Sequence, residues 1–495
     1  MKNLLSKQEM RRYTLVEILT NQKDWLQLDI LAKALNCSTR VLIDDIQYLN
    51  DQFEGFTLYT PKQGVKLTYH PNYGFKTFCQ RMLDLSEPYK IFECVFLNYN
   101  LTVQELADKL FFSSSKVYRL INQINKQTKE AYDFQIETNP CRITGNEYNI
   151  RYIGYLYFFE KYSHYEWVFE HEQLEELNQF LERFNEMSEL RTDFAYFNVF
   201  KVISGVNSIR YKQGHNVKFE GENEEFLDFI LSTGLAKKVF ETLNITYDSD
   251  SIEEITSQIF MQYIQPGFSL SIENFYERVK EEKELGFQVE WLREQLSSLS
   301  TKYQLAFQNI DEVVYLLFGT AHLEYMEPQS GYILYNRNKY FAEDIAHEFP
   351  NFYNDLYRIM KEFRKKIGKP VTEDGIYFYM YTVFTWWKNL VPELRRKLDK
   401  INVLVISDRH KTHASMLRDF IEYEFNEQLR VSCYEDAIFN PSDLLQSEYE
   451  LVVSSFPIQN LESIRHVYIS NVPKFKDYLE TKDQIDAIVL ERISN

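Results

Sequence analysis

Apolar and polar residues recur with helical spacing in two segments near the start of the chain. In each segment a short amphipathic run ends in a turn, and a second run begins at a serine, Ser38 or Ser113. The second segment lies 75 positions after the first, and it repeats the same residues at Leu31/Leu106, Ala32/Ala107, Leu35/Leu110, Ser38/Ser113, Ile46/Ile121 and Asn50/Asn125. Apolar residues three and four positions apart fix one helix face to a core and leave the other face free. The repeat therefore predicts two helix-turn-helix motifs, which are typical of DNA-binding proteins.

Each residue type has a role in such a motif. The alanine lets the two helices approach closely, and the serine accepts backbone N–H groups as N-cap of the second, recognition helix. The free face of that helix supplies the candidates for contact with DNA. They are Ser38, Thr39, Arg40 and Gln47 in the first copy, and Ser114, Ser115, Lys116, Arg119 and Gln123 in the second. Because Arg119 stands where the first copy has Asp44, we expect the second copy to dominate DNA binding.

A strand-turn-strand pattern follows each motif. The strand runs are residues 56–60, 65–69, 134–138 and 141–145, with turns at Pro61 to Gly64 and at Asn139-Pro140. Such runs predict β-hairpins, and a hairpin directly behind a recognition helix is the wing of a winged helix. Lys62, Lys66 and Arg142 are candidates for contact with the phosphate backbone. The alternative is an ordinary helical hairpin with a small sheet, as in protein–protein adaptors.

The remaining chain divides into three further parts. Amphipathic helical runs without a catalytic motif predict two bundles, residues 170–285 and 286–398, and one of these runs covers residues 341–367 without a break. In residues 400–495, strand runs at 401–406, 429–433, 450–454 and 466–470 alternate with helices, which predicts a small α/β domain with a parallel sheet. With winged helices at residues 1–70 and 71–165, the chain is predicted to be multidomain and mainly α.

The net charge of −18 is unevenly distributed. Residues 1–165 carry 20 Lys and Arg against 18 Asp and Glu, or +2, and the remainder carries 35 against 55, or −20. The acidity therefore lies outside the predicted winged helices, as DNA binding requires. A charge of +2 is nevertheless small, so we expect dimerisation or higher assembly to assist binding.

Other compositional signals exclude several classes. The five cysteines, Cys37, Cys79, Cys94, Cys141 and Cys433, have no metal-binding spacing, and a reducing cytoplasm is expected. The longest aromatic stretch, residues 152–159, is shorter than the roughly 18 residues of a membrane helix, and residues 1–7 lack the apolar region of a signal peptide. We expect no membrane segment, metal or other cofactor.

The order of parts resembles that of the Mga/AtxA-like virulence regulators of Gram-positive bacteria. The resemblance covers nearly the whole chain and is sharpest in residues 38–46 and 143–152. It implies that the bundles are phosphotransferase-system regulation domains (PRDs), that the tail resembles a sugar-transporter IIB component, and that the protein is a cytoplasmic transcription factor, usually an activator. It also implies binding to promoter DNA, RNA polymerase and the phosphocarrier proteins HPr and enzyme I, with activity following sugar status.

Regulation of this kind would use phosphohistidine. His215, which follows Gly214, is the candidate in the first bundle; His322 is the candidate in the second, with His347 as fallback. A phosphate on His215 is expected to repel acidic surfaces and thereby shift a dimer equilibrium, because Glu220, Glu222, Glu224 and Glu225 follow it. The alternative to phosphorylation is a purely structural role, at a helix end for His215 and in a packed core for His322.

The terminal domain departs from an active IIB component. Where such components carry a nucleophilic cysteine after the first strand, this chain has Ser407, and the neighbouring Asp408 would repel a phosphoryl group. We therefore expect an interaction or oligomerisation module. Two other classes remain open. A related RNA-binding antiterminator shares paired regulation domains but begins with a β-rich module, and a phosphotransferase enzyme would need a nucleophile loop or a phosphate-binding glycine run.

Overall fold

The computed structural model describes most of the chain and groups it into two compact units. The described residues are 1–22, 24–162, 167–169, 171–187, 194–217, 224–242, 244–259, 272–323, 331–397, 400–425, 428–436, 439–440, 444, 447–458 and 464–494. Unit 1 comprises Met1–Lys283, Tyr315–Tyr340 and Thr372–Gly375, and unit 2 comprises Glu284–Val314, Phe341–Val371 and Ile376–Asn495. The chain is mainly helical, as predicted.

Unit 1 begins with a winged helix. Its elements are α1 (Lys7–Thr20), α2 (Leu28–Ala34), α3 (Thr39–Gln52), β1 (Phe56–Tyr59) and β2 (Lys66–Tyr69). The two strands pair antiparallel with Phe56 opposite Tyr69, which confirms the first wing. Leu26 adds a short third strand, since its N–H donates to the Val65 carbonyl at 3.0 Å. Gly64 permits this approach, because a Cβ there would lie 2.3 Å from the Leu26 carbonyl oxygen.

The second winged helix repeats this arrangement. Its elements are α4 (Phe75–Leu85), α5 (Glu87–Leu97), α6 (Val103–Leu110), α7 (Ser114–Tyr132), β3 (Phe134–Thr138), β4 (Cys141–Gly145) and α8 (Glu147–Lys161). The hairpin pairs Phe134 with Gly145, and the Cys141 N–H donates to the Leu101 carbonyl at 2.6 Å, as the third strand of this copy. Both predicted wings are therefore confirmed.

The residues that repeat between the copies occupy equivalent places. Most of the predicted apolar positions are buried in both recognition motifs, and Leu35 and Leu110 are half-buried against the same core. The buried positions are Leu31, Ala32, Leu42, Ile46 and Leu49 in the first motif and Leu106, Ala107, Val117, Ile121 and Ile124 in the second. The repeated asparagine fastens each wing to its recognition helix. Asn50 exchanges hydrogen bonds with the backbone of Leu58 at 2.9 and 3.0 Å, and Asn125 does so with Ile136 at 2.7 and 2.8 Å.

The first helical bundle packs on the second winged helix within unit 1. It contains α9 (His171–Met187), α10 (Phe194–Lys212), α11 (Glu224–Thr233), α12 (Lys237–Thr242), α13 (Ser249–Ile259) and α14 (Ile272–Glu281). Helix α10 packs against both α8 and α13. One hydrophobic core runs through both winged helices and this bundle.

A segment from later in the chain also belongs to this core. The carboxylate of Glu160, at the end of α8, is buried and accepts the backbone N–H groups of Ile333, Leu334 and Tyr335, each at 2.7 Å. The hydroxyl of Tyr13 donates to the Leu334 carbonyl at 2.8 Å. Residues 333–335 are thus fixed to the second winged helix by a buried carboxylate that accepts three backbone hydrogen bonds.

Six further helices are described in residues 283–323 and 331–397. They are α15 (Lys283–Lys302), α16 (Ile310–Leu323), α17 (Arg337–Glu348), α18 (Pro350–Lys366), α19 (Glu373–Trp386) and α20 (Leu390–Lys397). The uninterrupted helix predicted over residues 341–367 is wrong, because Phe349 leaves the helical conformation (φ −133°, ψ 60°) and separates α17 from α18. Pro350 causes the break, since proline disfavours a helical conformation in the residue before it and suits the first turn of a new helix.

The α/β domain lies in unit 2. Its elements are β5 (Ile401–Ile406), α21 (Lys411–Phe425), β6 (Leu429–Cys433), β7 (Leu451–Ser454), β8 (Arg465–Tyr468) and α22 (Phe475–Ser494). The strands form one sheet in the order β6-β5-β7-β8 with every neighbouring pair parallel, which confirms the predicted parallel sheet. Within the described ranges, no helix is long and apolar enough to cross a membrane.

Candidate nucleic-acid interface

The serine caps predicted for both recognition helices are present. The Ser38 hydroxyl accepts the Val41 N–H at 3.4 Å, and the Ser113 hydroxyl accepts the Lys116 N–H at 3.3 Å. Ser114 donates its hydroxyl hydrogen to the Gln104 side chain at 2.9 Å and so joins α7 to α6. Ser38 and Ser113 therefore cap their own recognition helices, and Ser114 fixes α7 to α6.

The exposed face of each recognition helix is a stripe of four residues with spacing i, i+3, i+4 and i+7. We call these the reading stripes; they are Arg40, Ile43, Asp44 and Gln47 on α3, and Ser115, Tyr118, Arg119 and Asn122 on α7. All eight side chains are exposed, and they occupy the same positions in the two copies. Such a stripe can enter the major groove while the opposite face stays in the core.

Three of these residues, Ile43, Tyr118 and Asn122, were missed by the sequence analysis. The signal was present, because each lies one position after a buried residue of its helix, Leu42, Val117 and Ile121. The predicted contacts were chosen among polar and basic side chains, although apolar groups can also read DNA by contacting the thymine methyl group. Ile43 and Tyr118 are about half-exposed and occupy equivalent positions.

Two predicted contacts lie beside the stripe on α7 and bind within the protein. The Lys116 ammonium is 2.5 Å from a Glu87 carboxylate oxygen and 4.3 Å from the centre of the Phe112 ring. The Gln123 amide donates to the Leu4 carbonyl at 3.0 Å. Lys116 thus joins α7 to α5 of its own domain, and Gln123 joins α7 to the segment before α1. Arg119, in contrast, is exposed and makes no ion pair within the described residues.

The basic residues of the wings differ in freedom. Lys62 is exposed in the turn of the first wing, whereas Lys66 is half-buried with its ammonium 5.9 Å from the Trp25 ring. In the second wing, the Arg142 guanidinium is 2.6 Å from a Glu137 carboxylate oxygen. The wings thus present one free cation, Lys62, and one paired cation, Arg142, among the predicted residues. Outside the wings, the predicted contact Thr39, the first residue of α3, is also exposed.

The two recognition helices are anchored differently. Asp45 of α3 is buried, with its two carboxylate oxygens 2.5 Å from Arg11 Nε and 2.7 Å from Arg12 Nε of α1. The equivalent residue of α7 is the buried Leu120. The first copy therefore uses two of its cations for internal pairing, and its reading stripe combines one positive with one negative charge. The second stripe carries the positive charge of Arg119 alone.

His215 lies at the junction of the first bundle with the second winged helix. Its backbone N–H donates to the Arg210 carbonyl at 3.1 Å. Its ring lies edge-on to the Tyr99 ring, with 5.6 Å between the ring centroids. Nε2 is buried without a hydrogen-bond partner among the described residues. Burial and the nearby Arg210 lower the pKa of His215 below its usual value. The neutral imidazole is consequently favoured at this site.

A buried charge network surrounds the His215 backbone. The Glu147 carboxylate pairs with Arg151 at 3.1 Å and with Arg210 at 2.6 Å, and Arg151 also pairs with Glu254 at 3.0 Å. Arg151 donates to the His215 carbonyl at 2.8 Å. Both guanidinium groups are almost fully buried. The charges close to His215 in the described chain are thus mainly those of arginines paired with carboxylates.

The remaining histidine candidates are less defined. His347 is exposed in the last turn of α17. His322 belongs to α16, but its side chain lies outside the described residues, as do the side chains of Glu220, Glu222, Glu224 and Glu225. The structure therefore leaves the predicted acidic surface beside His215 without a description. Among the described residues, no group of three side chains could hold a metal ion.

The loop after β5 is joined to α21 through Ser407 and His413. Ser407 Oγ is 2.8 Å from His413 Nδ1, and His413 Nε2 is 2.8 Å from the Asn471 carbonyl oxygen. Asp408 accepts a hydrogen bond from the Ser455 hydroxyl at 2.7 Å. Burial raises the pKa of the Cys433 thiol at the end of β6. These bonds connect the loops at the carboxyl ends of the strands.

Three sequence families match successive parts of the chain. Residues 6–60 match the helix-turn-helix domain of the M protein trans-acting positive regulator (Mga), residues 71–158 match the Mga helix-turn-helix domain, and residues 173–390 match the PRD domain of Mga. The first two families contain both recognition helices. The third begins just after the start of α9 and ends at the first residue of α20.

Several regulators are similar over long stretches. A protein of Streptococcus pneumoniae serotype 4, provisionally named a trans-acting regulator, is 27% identical over 474 residues, which cover 95% of this chain and 96% of that protein. Two capsule synthesis positive regulators of Bacillus anthracis also match. AcpA is 28% identical over 49% of this chain and 50% of its own length, and AcpB is 20% identical over 97% and 99%.

The reading stripes, the paired wings, the three matching domain families and the full-length similarity to named regulators agree with one another. The chain belongs to the Mga/AtxA-like family of DNA-binding transcriptional regulators.

Proposed function

We propose that the protein activates transcription by placing both reading stripes in the major groove of promoter DNA, with α7 supplying most of the affinity. The observation that carries this proposal is the exposed, unpaired Arg119 in the middle of the second stripe. An arginine in this position can pair with guanine through two hydrogen bonds. The equivalent residue of the first stripe is Asp44, which repels phosphate and binds no guanine acceptor.

The remaining parts of the proposed function concern the wings, the direction of regulation and the location of the protein. Lys62 of the first wing would contact the phosphate backbone, and Arg142 of the second could exchange Glu137 for phosphate. The capsule regulators AcpA and AcpB are named positive regulators, which supports activation and contact with RNA polymerase. A regulator of this kind acts in the cytoplasm and has no catalytic task.

We expect Arg119→Ala to weaken DNA binding more than Arg40→Ala does. Loss of a two-bond guanine contact costs about 1–3 kcal/mol, which is roughly a 5- to 150-fold increase in Kd. The measurement is fluorescence anisotropy with a duplex selected by the wild-type chain from a random-sequence library. Lys129→Ala is the matched control, since it removes one exposed positive charge from the other end of α7. Wild-type affinity in Arg119→Ala, together with a loss in Arg40→Ala, would contradict the ranking.

Self-association is the second part of the proposal. A charge of +2 over residues 1–165 gives a weak electrostatic contribution, so a second DNA-binding unit would have to supply the remaining affinity. The α/β domain offers an exposed apolar patch at Val472, Phe475 and Leu479, which are 58%, 77% and 47% exposed. The PRD bundles and this domain are the surfaces that we assign to assembly.

Deletion of residues 400–495 should reduce oligomer size or DNA affinity. Phe475→Asp should act in the same direction, because it places a charge in the apolar patch. Lys476→Asp is its control, since it adds the same carboxylate at a neighbouring exposed position of α22. Sedimentation velocity with and without the selected duplex measures both effects. A wild-type chain that is strictly monomeric at concentrations that saturate the DNA would refute assembly.

Phosphorylation of His215 by HPr and enzyme I is the third part. The lowered pKa keeps the imidazole neutral, and only the neutral ring can attack a phosphoryl donor. The product would carry close to two negative charges. The cations near His215 are Arg142, Arg151 and Arg210, each already paired with a carboxylate, so the phosphate would compete with Glu137, Glu147 and Glu254 for them. Because Nε2 is buried, attack at that atom requires a local opening that exposes it to the phosphoryl donor.

We expect the His215→Ala variant to lose most of the acid-labile phosphate that the wild type acquires from HPr and enzyme I. His322→Ala and His347→Ala test the second bundle in the same assay. His70→Ala is the control, because His70 is exposed but belongs to the first winged helix. Undiminished labelling of His215→Ala would remove His215 from the mechanism, and a wild type without any label would remove the phosphate switch.

A further inference from the structure

The turn before the second recognition helix holds a residue that is unfavourable for the fold. Phe111 ends α6 in the left-handed conformation (φ 56°, ψ 40°), and its side chain is 96% exposed. A bulky side chain is strained in that conformation, and an apolar ring gains nothing from exposure to water. One residue therefore combines a strained backbone with a side chain that contributes no buried apolar surface to the fold.

The first winged helix shows what the fold requires at this position. In both copies the helix is closed by the same backbone bond, from Cys37 to Ala32 at 3.0 Å and from Phe112 to Ala107 at 2.9 Å. The left-handed residue of the first copy is Asn36, with φ 49°. Asparagine is the usual alternative to glycine at such a helix end. The turn thus requires a residue that tolerates the left-handed region and does not require a phenyl ring.

The neighbouring ring does not explain Phe111 either. Phe112 is half-buried against the core and lies beneath the Lys116 ammonium. It already supplies the apolar contact that closes this turn. The Phe111 ring belongs to neither that contact nor the hydrophobic core of the described unit.

We propose that Phe111 is a DNA contact. It stands two residues before Ser113, the N-cap of α7, and the reading stripe begins two residues after that cap. The first turn of a recognition helix approaches the base edges most closely, so the residue leading into it lies beside the groove. The ring would pack on the apolar parts of DNA, which are the deoxyribose carbons and the thymine methyl group. Strain retained at a ligand-binding position is then repaid on binding. This inference rests on the proposed DNA binding through α7.

The experiment separates stability from binding in the full-length chain. Phe111→Asn restores the residue type of the first copy, Phe111→Gly removes the strain entirely, and Phe111→Leu keeps an apolar side chain. Phe287→Asn is the matched control, because Phe287 is 81% exposed in α15, outside the winged helices. Thermal unfolding and anisotropy with the selected duplex are measured for each variant.

The Asn and Gly variants should unfold at the same or a higher temperature than wild type and yet bind the duplex about tenfold more weakly. The Leu variant should retain most of the affinity, and Phe287→Asn should match wild type. The slope of log Kd against log salt should stay unchanged, because no phosphate-binding cation is lost. Replacement of thymine by deoxyuracil in the duplex identifies the group that the ring contacts. If wild type and Phe111→Asn then have the same Kd, the ring contacts the methyl group. If their Kd values still differ, the ring contacts deoxyribose.

Wild-type affinity in both the Asn and Gly variants would overturn the proposal. If the Asn and Gly variants bind the duplex normally but fail to activate transcription with purified RNA polymerase, Phe111 contacts a protein instead. That result also overturns the proposed DNA contact. A wild-type chain that selects no duplex would overturn DNA binding itself, and the Phe111 contact with it.

Discussion

Two buried arginines, Arg151 and Arg210, share the carboxylate of Glu147, and this shared charge joins the second winged helix to the first bundle. Glu147 begins α8 directly after the wing, whereas Arg210 belongs to α10. Arg210 also donates to the Ile143 carbonyl of β4 at 3.1 Å. Removing one member of a buried ion pair costs roughly 3–5 kcal/mol, because the partner remains charged without water. The position of the wing relative to the bundle therefore depends on this network, and so does any signal that passes between them.

The two winged helices show how one motif supports different tasks. Both keep the serine cap, the buried apolar positions and the asparagine that clamps the wing. The two winged helices differ at positions outside these shared contacts. The first anchors α3 through Asp45 and two arginines, so part of its positive charge is used internally. The second anchors α7 through Leu120 and leaves Arg119 and Phe111 exposed. This division suits one copy that positions the protein and another that recognises the DNA.

The sequence predicted the motifs that are local and lost accuracy where distant residues decide. Helical periodicity and turn residues were sufficient for both winged helices and for the parallel sheet. Pro350 is an exception, because it is a local signal within an amphipathic run and ends a helix by constraining the residue before it. Contacts such as Gln123 with Leu4 or Glu160 with residues 333–335 connect positions more than 100 residues apart. No local pattern encodes them. The reading stripes could have been predicted in full, since their spacing follows directly from the buried positions.

The most direct test of the coupling between wing and bundle is amide hydrogen exchange of the Arg210→Met variant, followed by mass spectrometry. Methionine keeps an apolar stem but leaves Glu147 with only Arg151 as partner. The account predicts that exchange in residues 134–145 of the wing and in residues 205–215 of the bundle accelerates together, by at least about tenfold given the energy of a buried pair. Arg278→Met is the control, because it breaks an exposed pair with Glu282. Unchanged exchange in the wing, with acceleration confined to the bundle, would contradict the account.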